Sequence, residues 1–148
     1  MSKVKEICIS KNKGEKILKL MVVEAVKGKG LVGDRKFKDN NEKHKQITLI
    51  ELENIIYFNK ISKRNFEPSI FRRNIVTENI KLNILINKVF FIGKVKVKGH
   101  DLCRPCKYLQ ILIKQNNFIK EFVNKFVEKF KLISAIWYNL IKHKKKNK

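Results

Sequence analysis

Two cysteines three positions apart, in Cys103-Arg104-Pro105-Cys106, lie among cations at Arg104 and Lys107. The thiolate is the reactive form of cysteine, and neighbouring positive charge lowers its pKa. Just upstream, the alternating run Lys94-Val95-Lys96-Val97-Lys98 reads as a strand that delivers the pair to the edge of a sheet. Three chemistries use thiols at this spacing. A thioredoxin-like redox motif is one, but the preceding chain lacks βαβ order, and no proline follows Pro105 to act as that fold's cis-proline. A zinc site is another, drawing on His100, Cys103 and Cys106. Structural zinc takes four ligands in paired clusters, and the remaining thiol, Cys8, is remote in sequence. The third is a single functional thiolate, Cys106, that carries sulfur or ligates a soft metal. The plain alternative is two partly buried cysteines packed as small apolar side chains.

Anion-binding residues come next. Phe71-Arg72-Arg73-Asn74 opens a predicted strand. Adjacent side chains on an extended chain point to opposite faces, so one of the two arginines is expected to point inward. An inward Arg beside Asn suits bidentate phosphate binding; the competing reading is one surface Arg and one salt-bridged Arg. Asp34-Arg35 follows a loop punctuated by Gly28, Gly30 and Gly33 and reads as a structural ion pair. Those glycines form no Walker loop, because Gly-Lys-Ser/Thr is missing. His44, His100 and His143 read as solvated or hydrogen-bonded, and no Ser-His-Asp order or paired-carboxylate arrangement stands out.

The chain must fold around one core to position these groups. Its 148 residues fit one domain, and 43% apolar content suffices to bury a core despite 32% charged residues. The net charge of +22 suggests a polyanionic partner. Lysine outnumbers arginine 30 to 5, however, and arginine is the better reader of phosphates and bases, so no specific nucleic-acid binding is expected. Three cysteines are too few for a disulfide scaffold. With no secretory h-region and no apolar run of the ~18 residues a span needs, the expectation is a cytoplasmic protein with reduced thiols and no membrane partner.

Val4–Ser10 and Lys16–Val26 flank a Gly14-containing turn and predict a β-hairpin. Thr48-Leu49-Ile50-Glu51 fits a capping box for a helix running to about Lys60. Asn74–Thr77 predicts a buried strand and Leu82–Ile86 a helical turn. Val89–Ile92 and Lys94–Lys98 predict strands with a bulge or bend at Gly93. Residues 107–114 are ambiguous. The stripe Phe118, Phe122, Phe126 and Phe130 marks an amphipathic helix, and Leu132–Ile141 a last strand. The expected organisation is a single domain over 1–141 with a basic tail over 142–148. The fold class is mainly β with peripheral helices, barrel-like and not doubly wound.

Five blocks then fall in register with a known family. They are Gly28–Arg35, Gln46–Glu51, Arg72–Thr77, Leu82–Lys88 with Ile92-Gly93, and Leu102–Cys106. Their order and spacing over residues 20–141 resemble the MOSC domain, named for the C-terminal domain of molybdenum cofactor sulfurase, in its small stand-alone bacterial type. The resemblance implies a closed, twisted β-barrel with helices around it. It also implies a pocket made of the Gly-Asp-Arg loop, the Arg-Arg-Asn strand and the cysteine loop. On this resemblance Cys106 is the functional thiol, as a persulfide or as a molybdenum ligand, with Cys103 as its companion. Asp34, Arg35, Lys45, Arg72, Arg73 and Asn74 would bind the molybdenum cofactor (molybdopterin). Lys45 stands where the family usually has Arg, and Lys131-Leu132-Ile133-Ser134 replaces a Gly-Gly turn, so closure of the barrel is where the sequence departs most.

The resulting expectation is a molybdenum cofactor-binding or sulfur-carrier protein, partnered by a cysteine-desulfurase-type sulfur donor or a molybdoenzyme. Two rivals are a molybdenum-dependent reductase of N-hydroxylated compounds, whose relatives usually carry an extra N-terminal barrel, and a non-enzymatic adaptor for cofactor proteins.

Overall fold

The computed structural model describes residues 1–42, 45–103 and 135–140. His44, Cys106, residues 107–114, the predicted 118–130 helix and the basic tail lie outside these residues.

Nine strands form. They are β1 (Lys3–Ile9), β2 (Leu18–Leu20), β3 (Ala25–Val26), β4 (Gly30–Leu31), β5 (Ile47–Glu51), β6 (Ile75–Glu78), β7 (Val89–Ile92), β8 (Val95–Cys103) and β9 (Ala135–Leu140). The α-helix α1 (Leu52–Ser62) follows β5 and leads toward β6. Seven strands make one sheet in the order β2-β1-β6-β5-β9-β8-β7, while β3 and β4 pair separately. The fold is mainly β, as the sequence predicts.

The sheet is built around β5 and β6, which run parallel with Leu49 opposite Ile75. Strand side chains alternate between faces, and both faces are covered here. Ile50 and Val76 meet Ile55 and Phe58 of α1 together with Phe71. Leu49 and Ile75 join Ile9, Leu31, Ile47, Leu82 and Val97 on the other face. All five residues of β5 are buried, as a doubly covered strand requires.

The predicted β1–β2 hairpin forms with Cys8 opposite Lys19, but its second arm stops at Leu20. Leu82–Leu85 forms the expected helical turn, as a 3₁₀ turn. Gly93 makes neither bulge nor bend: it begins the tight turn of the β7–β8 hairpin, with φ +57 and Ile92 opposite Val95.

The capping box is a correction. Thr48–Glu51 is strand, and α1 has no side-chain cap hydrogen bond at Glu51. The Thr48 hydroxyl instead donates to Asn74 Oδ1 (3.1 Å) and accepts from the Asn74 N–H (3.1 Å). The Glu51 carboxylate accepts from Leu82 N–H (2.9 Å) and from the Asn54 amide. Asn74 for Thr48, and Leu82 with Asn54 for Glu51, take the place of the reciprocal cap, because both residues are buried where every polar group must find a partner.

The thiol-bearing strand is not at a sheet edge. β8 lies between β7 and β9, with Cys103 opposite Ala135. The sheet curls, since a cavity of about 150 Å³ is lined both by Lys3 and Val4 of β1 and by Phe90–Ile92 of β7. Among the described residues no strand pairing joins its two ends. Among the described residues no helix is long and apolar enough to cross a membrane.

Candidate functional site

At the end of β1 and the starts of β5 and β6, a cleft is lined by Asp34, Arg35, Lys36, Arg72, Arg73 and Asn74, with Cys8, Ser10 and Thr48 behind them. Five of the six expected cofactor-binding residues therefore meet, from segments about forty positions apart in sequence. Lys45 is not in the lining; its ammonium pairs with Glu42 at 3.1 Å.

Each wall has a specific cause. The Gly-rich loop is held against β5 at Gly30, whose φ is +117 and whose Cα approaches the Gln46 carbonyl so closely that a Cβ would lie 2.8 Å from that oxygen. Only glycine accepts both conditions. Asp34 then closes the loop. Its carboxylate accepts from Ser10 N–H (3.1 Å) and Lys36 N–H (3.3 Å), and the Arg35 N–H donates to Ser10 C=O (2.7 Å). The expected Asp34–Arg35 ion pair is replaced by this backbone clasp, which leaves Arg35 exposed at the mouth.

Arg72 and Arg73 depart from the expected alternation. The strand begins only at Ile75, and Arg72 caps the 3₁₀ turn Pro68–Phe71 in the left-handed region, φ +55. That bend lets both arginines line the cleft. The Arg72 guanidinium donates to the Glu15 C=O (3.0 Å) and the Ser10 hydroxyl (3.2 Å), which fixes it across the β1–β2 turn.

Asn74 is a seam more than a ligand. Its Oδ1 accepts from the Thr48 N–H (3.1 Å) and hydroxyl (3.1 Å), and its Nδ2 donates to Cys8 C=O (3.1 Å). At most one N–H is left for a bound group, so Asn74 positions the wall shared by β1, β5 and β6.

Four cations, Arg35, Lys36, Arg72 and Arg73, face one carboxylate, Asp34, around the cleft. The site is suited to an anion, and guanidinium groups bind oxyanions through paired N–H donors. Its enclosed part is about 20 Å³, room for about one water, so anything larger binds at the open mouth. Cys8 is a different kind of thiol from the predicted pair. Burial, then the nearby Glu6 carboxylate, push its pKa up to about 11, against a smaller lowering by Lys19.

Cys103 ends β8. Counting register across β9, it lies level with Ile50, two strands from β5 and two residues beyond Thr48. At ordinary strand spacing and rise that is roughly 12 Å from the Thr48 wall. Cys106 lies outside the described residues. Among the described residues no group of three or more His, Cys, Asp or Glu side chains is placed to hold a metal ion.

Cys8, Ser10, Lys36 and Thr48 are site residues that sequence reasoning did not nominate. Lys36 carries a local signal, because it extends the Asp34-Arg35 pair. The others carry none, because only the pairing of β1 with β6 and of β6 with β5 brings them together.

Comparison with known proteins agrees with this architecture. The chain superimposes on the YuaD protein from Bacillus subtilis with a TM-score of 0.76 at 15% identity, covering 96% of this chain and 89% of that one. YiiM from Geobacillus stearothermophilus gives 0.71 at 13% identity, covering 96% and 69%. YiiM from Escherichia coli gives 0.64 at 13%, covering 97% and 71%. Identities this low establish the shared fold alone. No curated protein matches the chain. The MOSC domain model matches residues 31–145, a span that takes in the Asp34 clasp, the Arg72–Asn74 segment and both cysteines of the Cys-x-x-Cys pair, so the chain belongs to the MOSC domain family.

Proposed function

We propose that this protein binds the molybdenum cofactor or carries sulfur in its metabolism, with Cys106 as the acting thiolate. The observation that carries the reading is the cleft, where Arg35, Lys36, Arg72 and Arg73 converge on one small mouth. The donor set fits the phosphate of a pterin cofactor, since four cations around one carboxylate favour a dianion. The enclosed part holds about one water, so the phosphate would bind at the open mouth among the four cations. When bound, the cofactor supplies a soft metal centre with sulfur ligands, for which a cysteine thiolate is the matching protein donor.

In sulfur transfer the Cys106 thiolate attacks the outer sulfur of a donor persulfide. A sulfur–sulfur bond forms at Cys106, the donor's sulfur–sulfur bond breaks, and the donor cysteine leaves as a thiolate. No net oxidant is needed. Closure of the curled sheet into the family's barrel is part of the same proposal.

The test is mass spectrometry of the protein from its source, looking for a persulfide or a bound pterin. Cys106→Ser should abolish the added mass, whereas Cys103→Ser should reduce it. Alkylation at pH 8 should label Cys103 and Cys106 well before Cys8, whose raised pKa leaves about one thiol in a thousand ionised there. Arg35→Ala and Arg73→Ala should each weaken phosphate binding without loss of fold. Full retention of the added mass in Cys106→Ser would end both forms of the reading.

A further inference from the structure

Outside the cleft, β2 ends the sheet: among the described residues it pairs with β1 alone, which leaves its other edge free. The Cys8 N–H donates across to the C=O of Asn74, immediately before β6. In an antiparallel pair the bonding positions alternate, so Ile7 and Ile9 bond toward β2, and their partners are Leu20 and Leu18. The backbone N–H and C=O of Lys19 therefore point away from the sheet, as do those of Ile17 one step earlier. Two residues at alternate positions with outward main-chain groups are what an added strand uses.

Beside this edge runs a groove of about 770 Å³. Ile17, Leu18, Phe66 and Ile70 give it apolar walls. Lys16, Lys19 and Arg72 stand along it, with one carboxylate, Glu67. Immediately past β2, Met21 and Val22 are 98% and 80% exposed, so the edge continues into an uncovered apolar pair. The groove shares Ile17 and Arg72 with the cleft, so the two adjoin.

We propose that the β2 edge and its groove dock an extended segment of a partner protein, with apolar residues alternating with acidic ones, by strand addition. Charge chooses this occupant. Lys11, Lys13, Lys16 and Lys19 are all exposed along the β1–β2 hairpin. Lys19 is paired with Glu6 and Glu67, at 3.5 Å each, so the positive excess rests on Lys11, Lys13 and Lys16 against Glu15. Edge lysines reject a like-charged strand, so a second copy of this chain, itself at +22, is disfavoured. An acidic strand meets no such barrier, and rejection of one partner with acceptance of another is how an edge gains specificity. The segment's continuation lies over the cleft mouth. In that respect alone the inference rests on the proposed function, because a macromolecular sulfur donor or acceptor must present its reactive group there.

The probe is a fluorescein-labelled heptapeptide alternating Glu and Val, titrated into the full chain and read by polarisation. Binding should weaken about tenfold or more when the peptide is N-methylated along one edge, and equally when its Glu residues become Lys. Lys19→Pro removes the outward N–H without touching the β1 ladder and should abolish binding. Circular dichroism verifies its fold, and the N-methylated peptide gives the same answer with the native protein. Binding that survives N-methylation but not charge reversal would reduce the edge to a basic patch and overturn strand addition. Concentration-dependent dimerisation lost in Lys19→Pro would overturn the choice of partner. Peptide binding is read without sulfur or cofactor, so its failure with a persulfide intact on Cys106 refutes the docking proposal only, and the converse refutes the function only.

Discussion

The seam between β1, β6 and β5 and the hairpin of β7 and β8 belong to one sheet, yet they are held in register by different physics. At the seam, side chains do the work. Asn74 reaches Thr48 on one neighbour and Cys8 on the other, and both faces are buried. At the hairpin, a two-residue turn sets the pairing, and side chains alternate between the core and solvent, with Val89 and Phe91 outward. A turn specifies register only between strands close in sequence. Strands 26 and 66 residues apart, as Thr48 and Cys8 are from Asn74, need a buried polar group that is satisfied in one alignment only. That same requirement leaves the seam's surface polar and charged, which is where the cleft lies.

If this contrast is right, the largest effect of a single substitution falls on the seam. Asn74→Leu keeps the volume roughly constant but strands the Thr48 N–H and the Cys8 C=O. Two buried unsatisfied groups at about 1–3 kcal/mol each predict a loss of about 2–6 kcal/mol, read from urea midpoints. A loss under about 1 kcal/mol would show that apolar burial alone sets the register there.

The hairpin should respond less, and through its turn. Gly93 sits at φ +57 with open space around its Cα, so Gly93→Ala meets backbone strain without a clash. The expected cost is about 1–2 kcal/mol, with the β7–β8 pairing kept. Loss of the pairing in hydrogen exchange, at the same small cost, would mean that the turn holds more of the sheet than this comparison allows.

The two regions also differ in how far the sequence alone describes them. The β7–β8 strands, the β1–β2 hairpin and the Ile75 strand follow from alternation and turn residues, signals that need no distant partner. The capping box misled because Thr48 and Glu51 fit a local motif whose partners are really Asn74, Asn54 and Leu82. The Asp34, Arg35, Arg72, Arg73 and Asn74 grouping was legible through family resemblance, not through any physical signal local to each block. Cys8 and Ser10 were not legible, since nothing near them in sequence marks the end of β1 as a cleft wall. The division of labour between Arg72 and Arg73 failed because it assumed an extended chain where a 3₁₀ turn ends in a left-handed residue.

A pH dependence sharpens the contrast at the far end of β5. Burial raises the Glu51 pKa above its ordinary 4.5, outweighing the hydrogen bonds from Leu82 and Asn54 that lower it. The folded state therefore holds this proton more tightly than the unfolded chain. Its contribution is fully present below the unfolded value and is lost as pH rises through the folded one. The stability difference between the native protein and Glu51→Gln should fall as pH climbs from about 4 to neutrality. A difference that stays flat or rises would show that the carboxylate is stabilised as an anion by its N–H donors.

The smallest effect is expected on the outer face of β7, and it tests what that face meets in solution. Phe91 is 62% exposed, with Val89 on the same side at 49%, while Phe90 and Ile92 turn toward the core cluster. Phe91→Thr keeps strand propensity and removes an aromatic ring that makes little buried contact. A surface change of this kind costs within about 0.5 kcal/mol. The ring opposes Lys96 across the hairpin, so a small loss from that pair is included in the figure. A cost above about 1.5 kcal/mol would mean that the ring is covered, and sedimentation would then separate cover by a second copy from cover within one chain. In either case the contrast would change character, because β7 would be an interior strand held by burial on both faces, as β5 is.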